Sequence, residues 1–113
     1  LEIAEMPESP VNSFEHARIF AERGNLYLRL GEFDAVFAEL AQAITINPNY
    51  PKTYFIRAQL HETLGNTEQA HEDYTTFLSL METVTLYHEE DLTGYVQKAQ
   101  EIVGGGQDTH SLD

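Results

Sequence analysis

The sequence lies over itself when displaced by 34 residues. That shift pairs Arg18 with Lys52, Phe20 with Tyr54, Arg23 with Arg57, Gly24 with Ala58, Asn25 with Gln59, Leu26 with Leu60, Leu30 with Leu64 and Gly31 with Gly65. It continues through Asp34 with Glu68, Val36 with Ala70, Glu39 with Asp73, Ile44 with Leu78, Thr45 with Ser79 and Ile46 with Leu80. Charge, size and polarity agree at too many positions for shared composition to explain. A repeat of this length is one supersecondary unit that cannot bury its apolar side alone, so neighbouring copies must stack. A chain of 113 residues, 42% of them hydrophobic, has room for a single domain built from such units.

Each unit reads as helix, tight turn, helix. Asn12 followed by Glu15 fits a capping box, and Ile19, Phe20, Leu26, Tyr27 and Leu30 carry an apolar stripe to Gly31, a left-handed C-terminal cap. A second stripe starts near Asp34, runs through Val36, Phe37, Leu40, Ala43 and Ile44, and stops at Asn47-Pro48. Pro51 suits the first turn of a third helix, which continues through Tyr54, Ala58, Leu60 and Leu64 to Gly65. A fourth helix, about Glu68 to Met81, contains Ala70, Tyr74, Phe77, Leu78 and Leu80. Residues 81–91 mix β-branched residues with acids and fit a helix extension, a loop or a join equally well. Helical spacing returns from Leu92 to Val103 through Tyr95, Val96 and Ala99. On this pattern residues 1–11 are a loose lead-in and 12–103 a single helical domain, while 104–113, opening on Gly104-Gly105-Gly106, form a flexible acidic tail.

The two units resemble the tetratricopeptide repeat family. Its motif alternates large and small packing residues, and the first unit, about 17–50, supplies Phe20, Gly24, Tyr27, Val36, Leu40, Ala43 and a closing Pro48. The second, about 51–82, supplies Tyr54, Ala58, His61, Ala70, Tyr74 and Phe77, with Glu82 where the proline would stand. Small residues let helices approach, and large ones fill the gaps between hairpins. The resemblance implies an all-α fold, a right-handed superhelix of stacked antiparallel helical hairpins, with a helix at about 91–103 capping the second hairpin. Phe77 in place of the family's alanine implies a neighbour that stands further off. Glu82 in place of proline implies a different exit from the fourth helix.

The same resemblance implies a non-enzymatic interaction module whose first helices line a concave groove. That face carries Arg18, Ala21, Asn25, Leu28 and Arg29 in the first unit and Lys52, Phe55, Gln59, Glu62 and Thr63 in the second. It gathers three of the six cations, two carboxamides and an aromatic on an otherwise acidic chain. Such a face suits an extended peptide, its backbone meeting the amides and its acidic side chains or terminal carboxylate meeting the cations. The residues also read as ordinary solvated helix faces. The clamp by which some relatives hold chaperone tails is similar here only at Asn25, since Ala21 and Ile56 replace its lysine and second asparagine. Chaperone-tail capture is therefore not expected. Arg23 and Arg57 stand where the family keeps leucine, so each must snorkel to the edge or pair with an acid such as Asp34 or Glu39. A self-assembling, homo-oligomeric scaffold element is the alternative, as is a targeting module of a larger protein, in keeping with a chain that opens on Leu1.

Composition removes other classes. A net charge of -13 with six Lys and Arg argues against nucleic acid and against anionic membranes. No apolar run approaches the roughly 18 residues a membrane-spanning helix needs. Without cysteine there is no disulfide, thiolate zinc site or cysteine nucleophile. His61, His71 and His88 each adjoin acids, but adjacent helical residues diverge and no HExxH pair exists, so neither a metal nor a cofactor is expected. His61 reads as a stand-in for a packing tyrosine. Ser13 and His16 lack an orienting acid, and the glycine triplet lacks the strand and helix of a phosphate loop. The expectation is a soluble, cytoplasmic protein with a protein partner.

Overall fold

Gly31 and Gly65 set where the chain reverses. In the computed structural model, which describes residues 10–83 and 92–112 (backbone alone at 10–12 and 105–112), both glycines are left-handed, with φ of 79° and 82°. Each sits at the same place in the same hydrogen-bonded turn. The Gly31 N–H donates to the Leu28 carbonyl at 3.1 Å and Glu32 N–H to Tyr27 at 3.0 Å. One repeat later, Gly65 donates to Glu62 at 3.1 Å and Asn66 to His61 at 2.7 Å. This closure satisfies carbonyls left over at a helix end, and its left-handed residue is strained for any L side chain.

The helices are α1 (Pro10–Leu30), α2 (Phe33–Ile46), α3 (Pro51–Thr63), α4 (Thr67–Thr83) and α5 (Thr93–Leu112), and the described residues contain no strand. Helix α1 pairs with α2 and α3 with α4, each as an antiparallel hairpin; α3 also packs on both helices of the first hairpin, and α5 packs on α4. Between hairpins the chain is held by Asn47, whose Nδ2 donates to Ser13 Oγ at 2.8 Å while its Oδ1 accepts from the Asn49 N–H at 2.8 Å. Pro51 then opens α3 in the first turn, where its missing N–H costs nothing.

Tyr50, Tyr74, Phe77, Leu40, Ile56, Leu60 and Val36 are the largest fully buried apolar side chains, and Leu92 and Ala99 bring α5 into the same core. At the motif's packing positions Gly24, Val36, Leu40, Ala43, Ala58, Ala70, Tyr74 and Phe77 are buried, whereas Phe20, Tyr27 and Tyr54 are half-buried. Pro48 is exposed, and its carbonyl accepts the Tyr54 hydroxyl at 2.7 Å. A Cβ on Gly24 would lie 2.9 Å from Leu40 Cδ2, so the first hairpin closes through a hydrogen atom's width at that position.

Three boundaries differ from the sequence reading. The first helix begins at Pro10, so Asn12 lies inside it instead of capping it; a proline in the first turn starts a helix as well as a capping box does. Helix α4 runs to Thr83, two residues past Met81, because Glu82 leaves intact the helical hydrogen bonding that a proline would break. Helix α5 continues through Gly104-Gly105-Gly106 to Leu112, across the stretch read as a tail. Glycine disfavours a helix by about 1 kcal/mol per residue relative to alanine without forbidding it. Residues 1–9 of the expected lead-in at 1–11 and residues 84–91 of the ambiguous stretch at 81–91 lie outside the described residues.

Candidate functional site

The two arginines at repeat-equivalent positions are structural. Arg57 forms a bidentate pair with Asp73, Nε to Oδ2 at 2.9 Å and Nη2 to Oδ1 at 3.0 Å, and lies 5.5 Å from the centre of the Tyr54 ring. Arg23 reaches Glu39 at 3.0 Å and lies 5.3 Å from the Phe20 ring. Aromatic, arginine and acid thus recur together, 34 positions apart. The hydrogen bonds it donates to Asp73, set against partial burial, hold Arg57 even more firmly protonated than usual. His61 belongs to this seam: its Nε2 is 3.8 Å from Asp73 Oδ2, its Nδ1 is 3.2 Å from Asn66 Nδ2, and its ring tilts against Phe37 at 5.9 Å.

On the other side of the first helices lies a groove of about 660 Å³, lined by Asn25, Leu28 and Arg29 of α1, Phe55, Gln59, Glu62 and Thr63 of α3, and Gly94, Tyr95 and Lys98 of α5. Seven residues of the expected groove face meet here: Asn25, Leu28, Arg29, Phe55, Gln59, Glu62 and Thr63. Three others do not. Ala21 is fully buried in the core, and Arg18, half-buried near the start of the same face, is engaged in a contact of its own. Lys52 is withdrawn: its side chain is 7% exposed, with Nζ 2.6 Å from Glu22 Oε2 and 4.9 Å above the centre of the Tyr95 ring.

Helix α5 explains that withdrawal. Tyr95 stacks on Phe55 with ring centres 4.6 Å apart and planes 26° off parallel, and Phe55 in turn meets Tyr74 and Phe77 edge-on at 5.3 and 5.2 Å. Face-on and edge-on aromatic pairs of this kind add about 0.5–1.5 kcal/mol beyond the area they bury. Phe55 and Tyr95 of this cluster line the groove, and the face of Tyr95 holds the Lys52 ammonium. The residues that sequence reasoning missed, Tyr95 and Lys98, come from a helix it had assigned to covering alone. Helical spacing shows that α5 is amphipathic, but not that its docking turns Lys98 toward α1.

Polar chemistry in the groove is of two kinds. The Tyr74 hydroxyl donates to Glu62 Oε1 at 2.7 Å; burial, reinforced by that bond, pushes the phenol well above its ordinary range, so it remains a donor. The carboxamides of Asn25 and Gln59, equivalent in the repeat, have no hydrogen-bond partner among the described residues, and neither cation of the groove, Arg29 or Lys98, has an acidic one. Each carboxamide offers two donors and an acceptor, the complement of an extended backbone. Among the described residues no three His, Asp or Glu side chains converge on a metal position, and no helix is long and apolar enough to cross a membrane.

Comparison with known families gives two matches, each to a model described as a tetratricopeptide repeat, over residues 17–50 and 40–72. The first spans the hairpin of α1 and α2 with the turn that follows. The second straddles the junction, from the latter part of α2 through α3 into α4. No solved structure matches the chain.

Proposed function

Because the chain belongs to the tetratricopeptide repeat family, whose repeats generally serve protein–protein interaction, we propose that it is a non-enzymatic module holding an extended segment of a partner protein between α1, α3 and α5. The observation that carries this reading is the pair of carboxamides, Asn25 and Gln59, displayed one repeat apart in a groove of about 660 Å³ with no partner among the described residues. That volume lies within the roughly 300–1,000 Å³ typical of ligand clefts. Spacing by one repeat lets two amides grip successive parts of one extended strand. The test is quantitative affinity capture with the wild-type chain and with Asn25→Ala/Gln59→Ala, helical content being checked by circular dichroism. Proteins retained by the wild type are expected to be lost from the double variant. An unchanged set on a folded variant would overturn the groove assignment.

A second reading, self-assembly, has its own support. Thr53, Ile56 and Leu60 of α3 are fully buried where the second hairpin stacks on the first. Their equivalents one repeat earlier are Ile19, Glu22 and Leu26, and Ile19 and Leu26 are 54% and 50% exposed. Leu30, further along α1, is exposed as well. A stripe that its own repeat buries elsewhere is a ready surface for a second copy.

A further inference from the structure

We infer that a second copy docks on the α1 stripe by its own α1 stripe, so that two chains close into a two-fold dimer through Ile19, Leu26 and Leu30; this rests on the self-assembly reading above. Repeat equivalence shows what such a stripe takes. One repeat later its counterparts on α3, Thr53 and Leu60 among them, are covered by the hairpin before. In a second copy the like covering surface would be the outer side of the second hairpin, but α5 already packs on α4 there and buries its own Leu92 and Ala99. What α5 turns outward is polar, with Gln97, Lys98, Gln100 and Glu101 exposed. Head-to-tail stacking is therefore closed off.

The surface that meets the stripe must be apolar and open. Among the described residues the exposed large hydrophobic side chains are Ile19, Leu26, Leu30, Phe37 and Leu64. Phe37 lies on α2 beside the His61 ring and Leu64 follows the end of α3, so only α1 carries them as a run. The complement of the stripe is the stripe itself, and a patch that meets its own copy closes after two chains. An antiparallel pairing sets Ile19 against Leu30 of the other copy, with the axis passing between Arg23 and Leu26. Parallel helices would instead oppose each Glu22 and Arg23 to its own copy and align the helix dipoles. Charge favours the same face. Helix α4 carries Glu68, Glu72, Asp73 and Glu82 without a Lys or Arg and packs chiefly on α3 and α5, so contact through α1 keeps the two acidic α4 helices apart. The groove of each copy stays open, because Leu28 is turned about 200° around the helix from Leu26. Three partly exposed side chains supply far less than the roughly 800 Å² per partner of a standard interface, so the pair is reversible.

The chain has no cysteine, so a single introduced one reports only on its own position. Under mild oxidation Leu26→Cys, within about 2 Å of the axis along α1, should form a covalent dimer roughly tenfold faster than Gln100→Cys on the outer face of α5, since a disulfide needs close Cα atoms. A mixture of the two variants should give no disulfide between positions 26 and 100. The mass of the wild type in sedimentation equilibrium should level off at two copies. Disulfides between 26 and 100, a mass climbing past two copies, or a wild-type dimer in which Leu26→Cys does not cross-link would overturn the two-fold inference and leave self-assembly standing. A wild type that is monomeric at every concentration would overturn both.

Discussion

Thr53 sits in the seam between the hairpins with its hydroxyl oxygen buried and without a hydrogen-bond partner among the described residues. An unmet buried hydroxyl costs about 1–3 kcal/mol, and valine has nearly the same shape. Thr53→Val is therefore expected to raise stability by about 1 kcal/mol, read as a higher urea midpoint at unchanged slope; a lower midpoint would mean that the hydroxyl is satisfied in solution. The repeated arginines supply a second comparison at this scale. The Arg57 side chain is 33% exposed and holds Asp73 through two bonds, with the Asp73 side chain only 8% exposed, whereas Arg23 is 52% exposed and makes one bond to Glu39. Removing Arg57 strands a nearly buried carboxylate, so Arg57→Ala should cost about 2–3 kcal/mol, and Arg23→Ala under about 1. Equal losses in chemical denaturation would contradict this difference. Sequence spacing made the pairing legible, since Arg23 and Glu39 move together to Arg57 and Asp73 under the shift of 34. It could not say how deeply each pair is buried, because that depends on which neighbouring helix lies over it.

At the scale of elements, the hairpins were readable because their ends require particular residues. Left-handed caps demand Gly31 and Gly65, and a helix starting at Pro51 needs no N–H there. The groove was legible only in its middle. Asn25, Leu28, Arg29, Phe55, Gln59, Glu62 and Thr63 meet, whereas Ala21, on the same face of α1, is fully buried in the core, a difference that helical spacing alone does not make. Lys52, expected on the groove face, is withdrawn from it by Glu22 and Tyr95, which no periodicity in α3 could reveal. Helix α5 was the least legible element: its apolar spacing was plain, its length and its contribution to the groove were not. Tyr95 is its chief anchor on α3, through the stack on Phe55. Tyr95→Ala should release that contact and speed amide exchange across 93–103 at least severalfold, while α1 to α3 keep their protection. Uniform acceleration through all helices would show that α5 does not open as a separate unit.

For the whole molecule, two surfaces compete to explain what the stacked hairpins are for. The stripe of Ile19, Leu26 and Leu30 favours association with another copy, which the strong negative charge opposes at low salt. If copies associate through α1, light scattering should give a mass that rises with concentration and with salt, and Leu26→Glu should return it to that of the monomer. A monomer at every concentration would rule this mode out. The groove makes a different demand, because a ligand there must touch α3 from the side that faces α1 and α5. Site-specific photo-crosslinking tests that most directly, with a photoreactive residue placed at Gln59 in the groove or at Gln69, exposed on α4. A discrete protein adduct is expected from position 59 and none from position 69; adducts from 69 with none from 59 would contradict binding in the groove.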